Sequence, residues 1–206
     1  MKRNVVFAAG AALLVAVVVV GLLSARASTS GDVSSSSGDR GRDPSGPHGP
    51  SLREARARLK GAPAPLAAVH AQSSQLLRGG AKAFDARLRG LRGYPVVVNK
   101  WGSWCPPCRA EFPTFQRASI KHGKKVAFLG VDGQDNVRDA GRFLRRFPVS
   151  YPSYVDSDLA IARRLGAVQA FPSTVFYDSK GKIAYIKQGS YPGDRALGAD
   201  IRRYAR

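Results

Sequence analysis

Cysteine is nearly missing: the 206 residues hold two, Cys105 and Cys108. A single close-set pair closes a loop too short to staple distant parts of a fold, which excludes a disulfide scaffold. Two cysteines cannot make a four-ligand zinc site alone, and the three histidines, His48, His70 and His122, show no ligand spacing around them, so no metal is expected. Covalent haem attachment needs histidine after the second cysteine, and that place is Arg109. Acidic residues are also few, 14 against 33 Lys and Arg, giving a net charge of +19. The excess is +7 over residues 51–93 and +10 over 94–206. A basic surface can attract nucleic acid, anionic lipid or an acidic protein. No aromatic-interleaved basic motif accompanies the charge, so nucleic acid is not an expected partner.

What is present divides the chain into three. Val5 to Leu23 is 19 residues without charge, preceded by Lys2 and Arg3. That length approaches the roughly 20 residues of a membrane-spanning helix, and the flanking positive charges would stay on the cytoplasmic side. Ala25-Arg26-Ala27 also fits a cleavage site, so 1–23 reads as a retained anchor or a removed signal. Either way the rest of the chain is expected to be exported, to the outer face of the cytoplasmic membrane as a single-pass protein if the segment is retained. Residues 24–62 form the linker. Its first 27 residues, 24–50, are rich in Ser, Gly, Pro and Asp and bury too little to fold, so they read as a tether of about 30 Å. "SLREARARLKG" after it reads as a short basic helix or a surface turn, with Leu52, Ala55 and Leu59 on one side.

The folded domain is expected over 63–206. "QLLRGGAKAFDARLRG" alternates around a Gly-Gly and predicts a half-buried hairpin. "YPVVVNKW" and "VAFLGVD" are continuous apolar strands of the kind covered on both faces. Between them a helix follows the cysteines to about His122, with Pro113 expected to kink it. "NVRDAGRFLRRF" has apolar residues at helical spacing, "SYPSYVD" is a strand, "SDLAIARRLG" a helix and "STVFYDSKGKIAYIKQG" a hairpin. A last helix begins with Asp194 as its N-cap. Strands alternating with helices and closed by a hairpin and a helix imply an α/β fold with a mixed sheet covered on both faces.

A thiol where a buried strand gives way to a helix meets unpaired backbone N–H groups and the positive end of the helix dipole. The thiolate is the reactive form, and lowering a cysteine from 8.5 to about 7 takes roughly 2 kcal/mol of selective stabilisation. Pro106 and Pro107 suit a first helical turn, which has no use for their missing N–H groups. Cys105 is thus expected to attack a partner's disulfide and Cys108 to resolve the mixed disulfide, the two forming a disulfide with each other. An inert surface disulfide is the alternative, and it leaves the setting without a use.

"VVVNKWGSWCPPCRAEFPTF" together with "LGAVQAFPSTVFYDSKGKIAYIKQG" resembles the thioredoxin fold and, within it, the membrane-tethered TlpA/ResA/CcmG-like group. The resemblance implies a three-layer domain with an added helix-strand unit at residues 135–156. It implies that Pro172 follows a cis peptide bond beside the thiols and that Trp104, Phe171 and Pro172 bind the client. Asn99 stands where thioredoxins have a buried aspartate, and Glu111 matches the acid of ResA-like proteins, suited to exchange a proton with Cys108. Glu111 also reads as a solvated residue on the first turns of a helix. Lys100 departs from the family, which has a buried aromatic there. The activity implied is thiol-disulfide oxidoreduction without a cofactor. Expected partners are client proteins such as apocytochrome c and a membrane thiol donor. A disulfide-forming oxidant or a basic non-catalytic binding module stand as alternatives.

Overall fold

The two middle strands grow from the apolar runs, and every one of their residues, the polar Asn99, Lys100 and Asp132 included, is buried, as a strand covered on both faces requires. The structure is a computed structural model that describes residues 49–206. The candidate anchor and nearly all of the tether lie outside the described residues. Among those described, no helix is long and apolar enough to cross a membrane.

The elements are α1 (Leu52–Leu59), α2 (Ala64–His70), β1 (Leu76–Leu77), α3 (Gly80–Gly90), β2 (Val96–Trp101), α4 (Pro106–His122), β3 (Ala127–Gly133), α5 (Val137–Arg146), β4 (Ser153–Asp156), α6 (Ala160–Arg164), β5 (Ser173–Tyr177), β6 (Ile183–Gln188) and α7 (Asp194–Tyr204). The sheet order is β1-β4-β3-β2-β5-β6. The pairs β1·β4, β4·β3 and β3·β2 are parallel, while β2·β5 and β5·β6 are antiparallel. This is the expected mixed sheet, and α5 with β4 supplies the expected helix-strand addition.

One helical layer is α4, α5 and α7. Trp101 from β2 meets Phe112 of α4 at 5.0 Å and Phe143 of α5 at 5.2 Å, and donates from Nε1 to Ser153 Oγ at 3.1 Å. Gly130 makes room for that bond, since a Cβ there would lie 2.1 Å from Ser153 Oγ. The other layer is α3 and α6, with Phe84 edge-on to Tyr154 at 5.3 Å. The alternation of strand side chains sends Ser153 to one layer and Tyr154 to the other.

Three expectations need correction. The first hairpin does not form: its second arm is helix α3, entered through Gly79 at φ +107° and Gly80 at φ +56°. Ala, Lys, Arg and Leu favour helix, and the alternation exposes nothing that a single buried Phe84 does not already satisfy. Residues 51–62 are not linker: α1 docks on the domain, with Ala55 and Leu59 buried against Ile120 of α4. Ser51 and Glu54 close that helix with a capping box. The folded unit therefore starts before residue 63. Gly193, not Asp194, is the N-cap of α7; Asp194 pairs with Arg117 at 2.6 Å. Pro113 lies inside α4, which spans Pro106–His122.

Candidate active site

β2 delivers the chain to the site and α4 receives it. Cys105 is the N-cap of α4, in extended conformation at φ −90° and ψ 105°, and its Sγ accepts the Cys108 N–H at 3.2 Å. Helix-end amide and dipole are thus aimed at this sulfur. Pro106 and Pro107 fill the first turn without removing a needed donor. The two cysteines are joined as a disulfide with Cα atoms 5.3 Å apart. Both are buried, Cys105 at 2% exposure and Cys108 at 0%, so neighbours rather than burial separate them. Both belong to the core cluster, but Cys105 adjoins exposed Trp104, Pro106 and Pro107, whereas Cys108 shares its face of α4 with the buried Phe112 and Phe115.

The loop 102–104 before Cys105 is held from the segment after β3. Asp135 accepts from the Ser103 N–H and from Ser103 Oγ, and Trp104 Nε1 donates to the Gln134 carbonyl at 3.1 Å. Gly102 leaves the indole its seat, because a Cβ would come within 2.6 Å of Nε1. Beneath this lies Asp132, fully buried, whose carboxyl is pushed up to about 8 by burial and by the neighbouring charges of Asp135 and Asp156. Neither Asp132 nor Asp135 was singled out by the sequence. "DGQD" has the composition of an ordinary turn, and Ser103 lies 32 residues away.

The Phe171–Pro172 bond is cis, as the resemblance implied. It turns Phe171 against Trp104, with ring centroids 4.9 Å apart, so two aromatic rings form a ledge beside Cys105. Under the ledge is Lys100. Its ammonium is buried, 3.6 Å from the Phe171 ring centre, and donates to the Val168 carbonyl at 3.1 Å. Burial lowers Lys100 to about 8, with Asp156 opposing the shift. The departure at Lys100 thus resolves into a cation that fixes the loop before the cis proline.

Glu111 is buried, at 1% exposure. One oxygen, Oε2, accepts the Tyr191 N–H at 3.0 Å, while Oε1 has no hydrogen-bond partner. Burial raises Glu111 to about 7, against smaller lowering effects from the Tyr191 N–H, Asn99 and Lys187. Asn99 is near enough to favour the carboxylate but stands outside hydrogen-bonding geometry with it. Three positions separate Glu111 from Cys108, which places both on one face of α4. The carboxyl therefore lies on the same side of α4 as the Cys108 sulfur and is able to hold or release a proton close to neutral pH. Tyr191, 80 residues away, was invisible in sequence because a backbone N–H carries no residue signature.

Among the described residues, no group of His, Cys, Asp and Glu could hold a metal ion. A model of the Redoxin family matches residues 60–201. The thiol-disulfide oxidoreductase ResA of Halalkalibacterium halodurans is 28% identical over 103 residues, 50% of this chain and 58% of that protein. ResA of Oceanobacillus iheyensis is 30% identical over 115 residues, 54% of this chain and again 58% of the relative. The chain thus spans a little over half the length of these relatives. Among solved structures, a DsbE-type thiol:disulfide interchange protein from Chlorobium tepidum superposes with a TM-score of 0.51 at 28% identity, over 56% of this chain and 83% of that one.

Proposed function

The chain belongs to the Redoxin family, and on that premise we propose that it is an extracytoplasmic thiol-disulfide oxidoreductase that reduces disulfides in client proteins. The observation that carries the reading is Cys105 capping α4 with its sulfur on the Cys108 amide, beside the cis peptide at Pro172. The similarity to ResA proteins supports it.

In the reduced protein the Cys105 thiolate attacks one sulfur of a client disulfide. That S–S bond breaks, a mixed disulfide forms, and the other client sulfur leaves as a thiolate that takes a proton from water. Cys108 then gives its proton to the Glu111 carboxylate and attacks the Cys105 sulfur. The second client thiolate leaves, the Cys105–Cys108 disulfide closes, and two electrons have passed to the client. Trp104 and Phe171 give the client segment an apolar ledge, and Pro172 turns the chain so that the backbone at 171 meets it edge to edge. A membrane thiol donor returns the dithiol. No cofactor takes part. The apolar run at 5–23 holds the domain on the outer side of the cytoplasmic membrane, and apocytochrome c awaiting haem is the proposed client.

A redox titration of the purified protein tests the direction of flow. A midpoint near or below about −250 mV fits a reductant, as in thioredoxin; one above about −150 mV, toward the DsbA range, overturns that direction in favour of disulfide formation.

A further inference from the structure

We propose that the end of the domain remote from the thiol pair is a docking face for a bilayer rich in anionic lipid headgroups. Helix α4 is 17 residues long, which sets its last turn about 25 Å from the cysteines at its start. At that far end Lys121, Lys124 and Lys125 are exposed. The C-terminal turn of α7 brings Arg202, Arg203 and Arg206, also exposed, to the same place. Arg202 and Lys121 both act on His122, which burial and these charges hold below its ordinary value.

Backbone bonds tie these segments into one surface. The Val126 N–H donates to the His122 carbonyl at 3.0 Å and the Ala127 N–H to Pro95 at 2.9 Å. Gly93 donates to Ser179 at 2.9 Å, and Ser179 to the Arg206 carbonyl at 2.7 Å. The start of β2, the start of β3, the β5–β6 turn and the end of α7 therefore meet at one pole. The first of these segments adds Arg92 and the turn adds Lys180 and Lys182, all exposed. Across residues 89–95, 121–126, 178–183 and 201–206 the single acidic side chain is Asp178, which already accepts the Lys182 N–H at 2.8 Å. At the opposite pole Asp132 and Asp156 lie at the C-terminal ends of β3 and β4, and Asp135 and Asp158 just beyond them; Asp194, which acts on Lys121, is paired with Arg117 at 2.6 Å.

Exposed basic side chains thus far outnumber acidic ones in these four segments, and theirs is the end whose contact with a surface leaves Cys105, Trp104 and Phe171 open. A lipid surface is favoured over nucleic acid because the exposed side chains of the face are Lys and Arg without interleaved exposed aromatics for base stacking. The apolar run at 5–23 and the roughly 30 Å tether supply a bilayer within reach. The proposal does not depend on thiol chemistry.

The test is amine acetylation of the full chain on vesicles of phosphatidylcholine alone or mixed with phosphatidylglycerol, read by peptide mass spectrometry. Lys121, Lys124 and Lys125 should be acetylated about tenfold more slowly on the anionic vesicles, with recovery at high salt. Lys82, on the first turn of α3, is the internal control and should not change. Each basic residue near an anionic surface contributes about fivefold to binding, so K121E/K124E/K125E should lose about a hundredfold of the preference for anionic vesicles while keeping disulfide exchange. Equal acetylation on both vesicle types, equal slowing of Lys82, or the same protection by duplex DNA at the same salt would each overturn the proposal.

Discussion

Replacing Glu111 with glutamine should make the oxidised protein more stable in alkaline solution and leave it nearly unchanged in acid. Burial raises this carboxyl from its ordinary 4.5 to about 7. Such a group favours the fold while it is neutral: its contribution is complete below pH 4.5 and is lost as pH rises through 7. The interval corresponds to about 3 kcal/mol. Glutamine is neutral throughout, and its amide oxygen can still accept the Tyr191 N–H that Oε2 accepts at 3.0 Å. The stability difference between variant and parent should therefore grow from near zero at pH 4 to about 3 kcal/mol at pH 8. With a urea m-value of about 2 kcal/mol/M that is a midpoint shift of about 1.5 M. Urea unfolding of the disulfide form, followed from pH 4 to 8.5, measures it without interference from free thiols. Asp132 titrates in both proteins and cancels in the difference. A difference that is flat with pH refutes the burial argument and, with it, the proton role of Glu111.

Cys108→Ser should accumulate a mixed disulfide through Cys105, seen on non-reducing gels, while Cys105→Ser should trap no client. Asp135→Asn weakens a charged acceptor gripping Ser103, so exchange of the Ser103 amide with solvent should quicken by about tenfold, read by NMR. Phe171→Ala removes half of the aromatic ledge and should raise KM for a disulfide peptide by about fivefold with little change in kcat. Phe112→Ala opens a cavity between Trp101 and Phe143 and should cost about 3–5 kcal/mol by denaturant melt.

The parts legible in the sequence are those where one residue type answers a local physical demand. Apolar runs with no polar face had to be the middle strands, and a thiol pair opening a helix after such a strand had to sit at its N-terminus. The alternation at Ala83–Leu88 misled because period two over six residues also fits an amphipathic turn, and a two-residue β1 gives the second arm no partner. For α1, "LREARARL" showed its apolar side, but nothing local tells that Ile120 would cover it. The site divides in the same way. Cys105 and Cys108 are readable by spacing and Pro172 through the family resemblance, whereas the grip of Asp135 on Ser103, the Tyr191 N–H on Glu111 and the Lys100 ammonium under Phe171 are made by tertiary contacts between residues 32 to 80 positions apart.

The central claim is that the helix end makes Cys105 the more acidic, attacking sulfur. Timed alkylation of the reduced protein with iodoacetamide between pH 5 and 9, with each cysteine quantified by mass spectrometry, tests it directly. The account predicts that Cys105 is modified first at pH 7 and that its rate follows a titration clearly below the 8.5 of a free cysteine. Earlier modification of Cys108, or a Cys105 rate that rises only above 8.5, contradicts it.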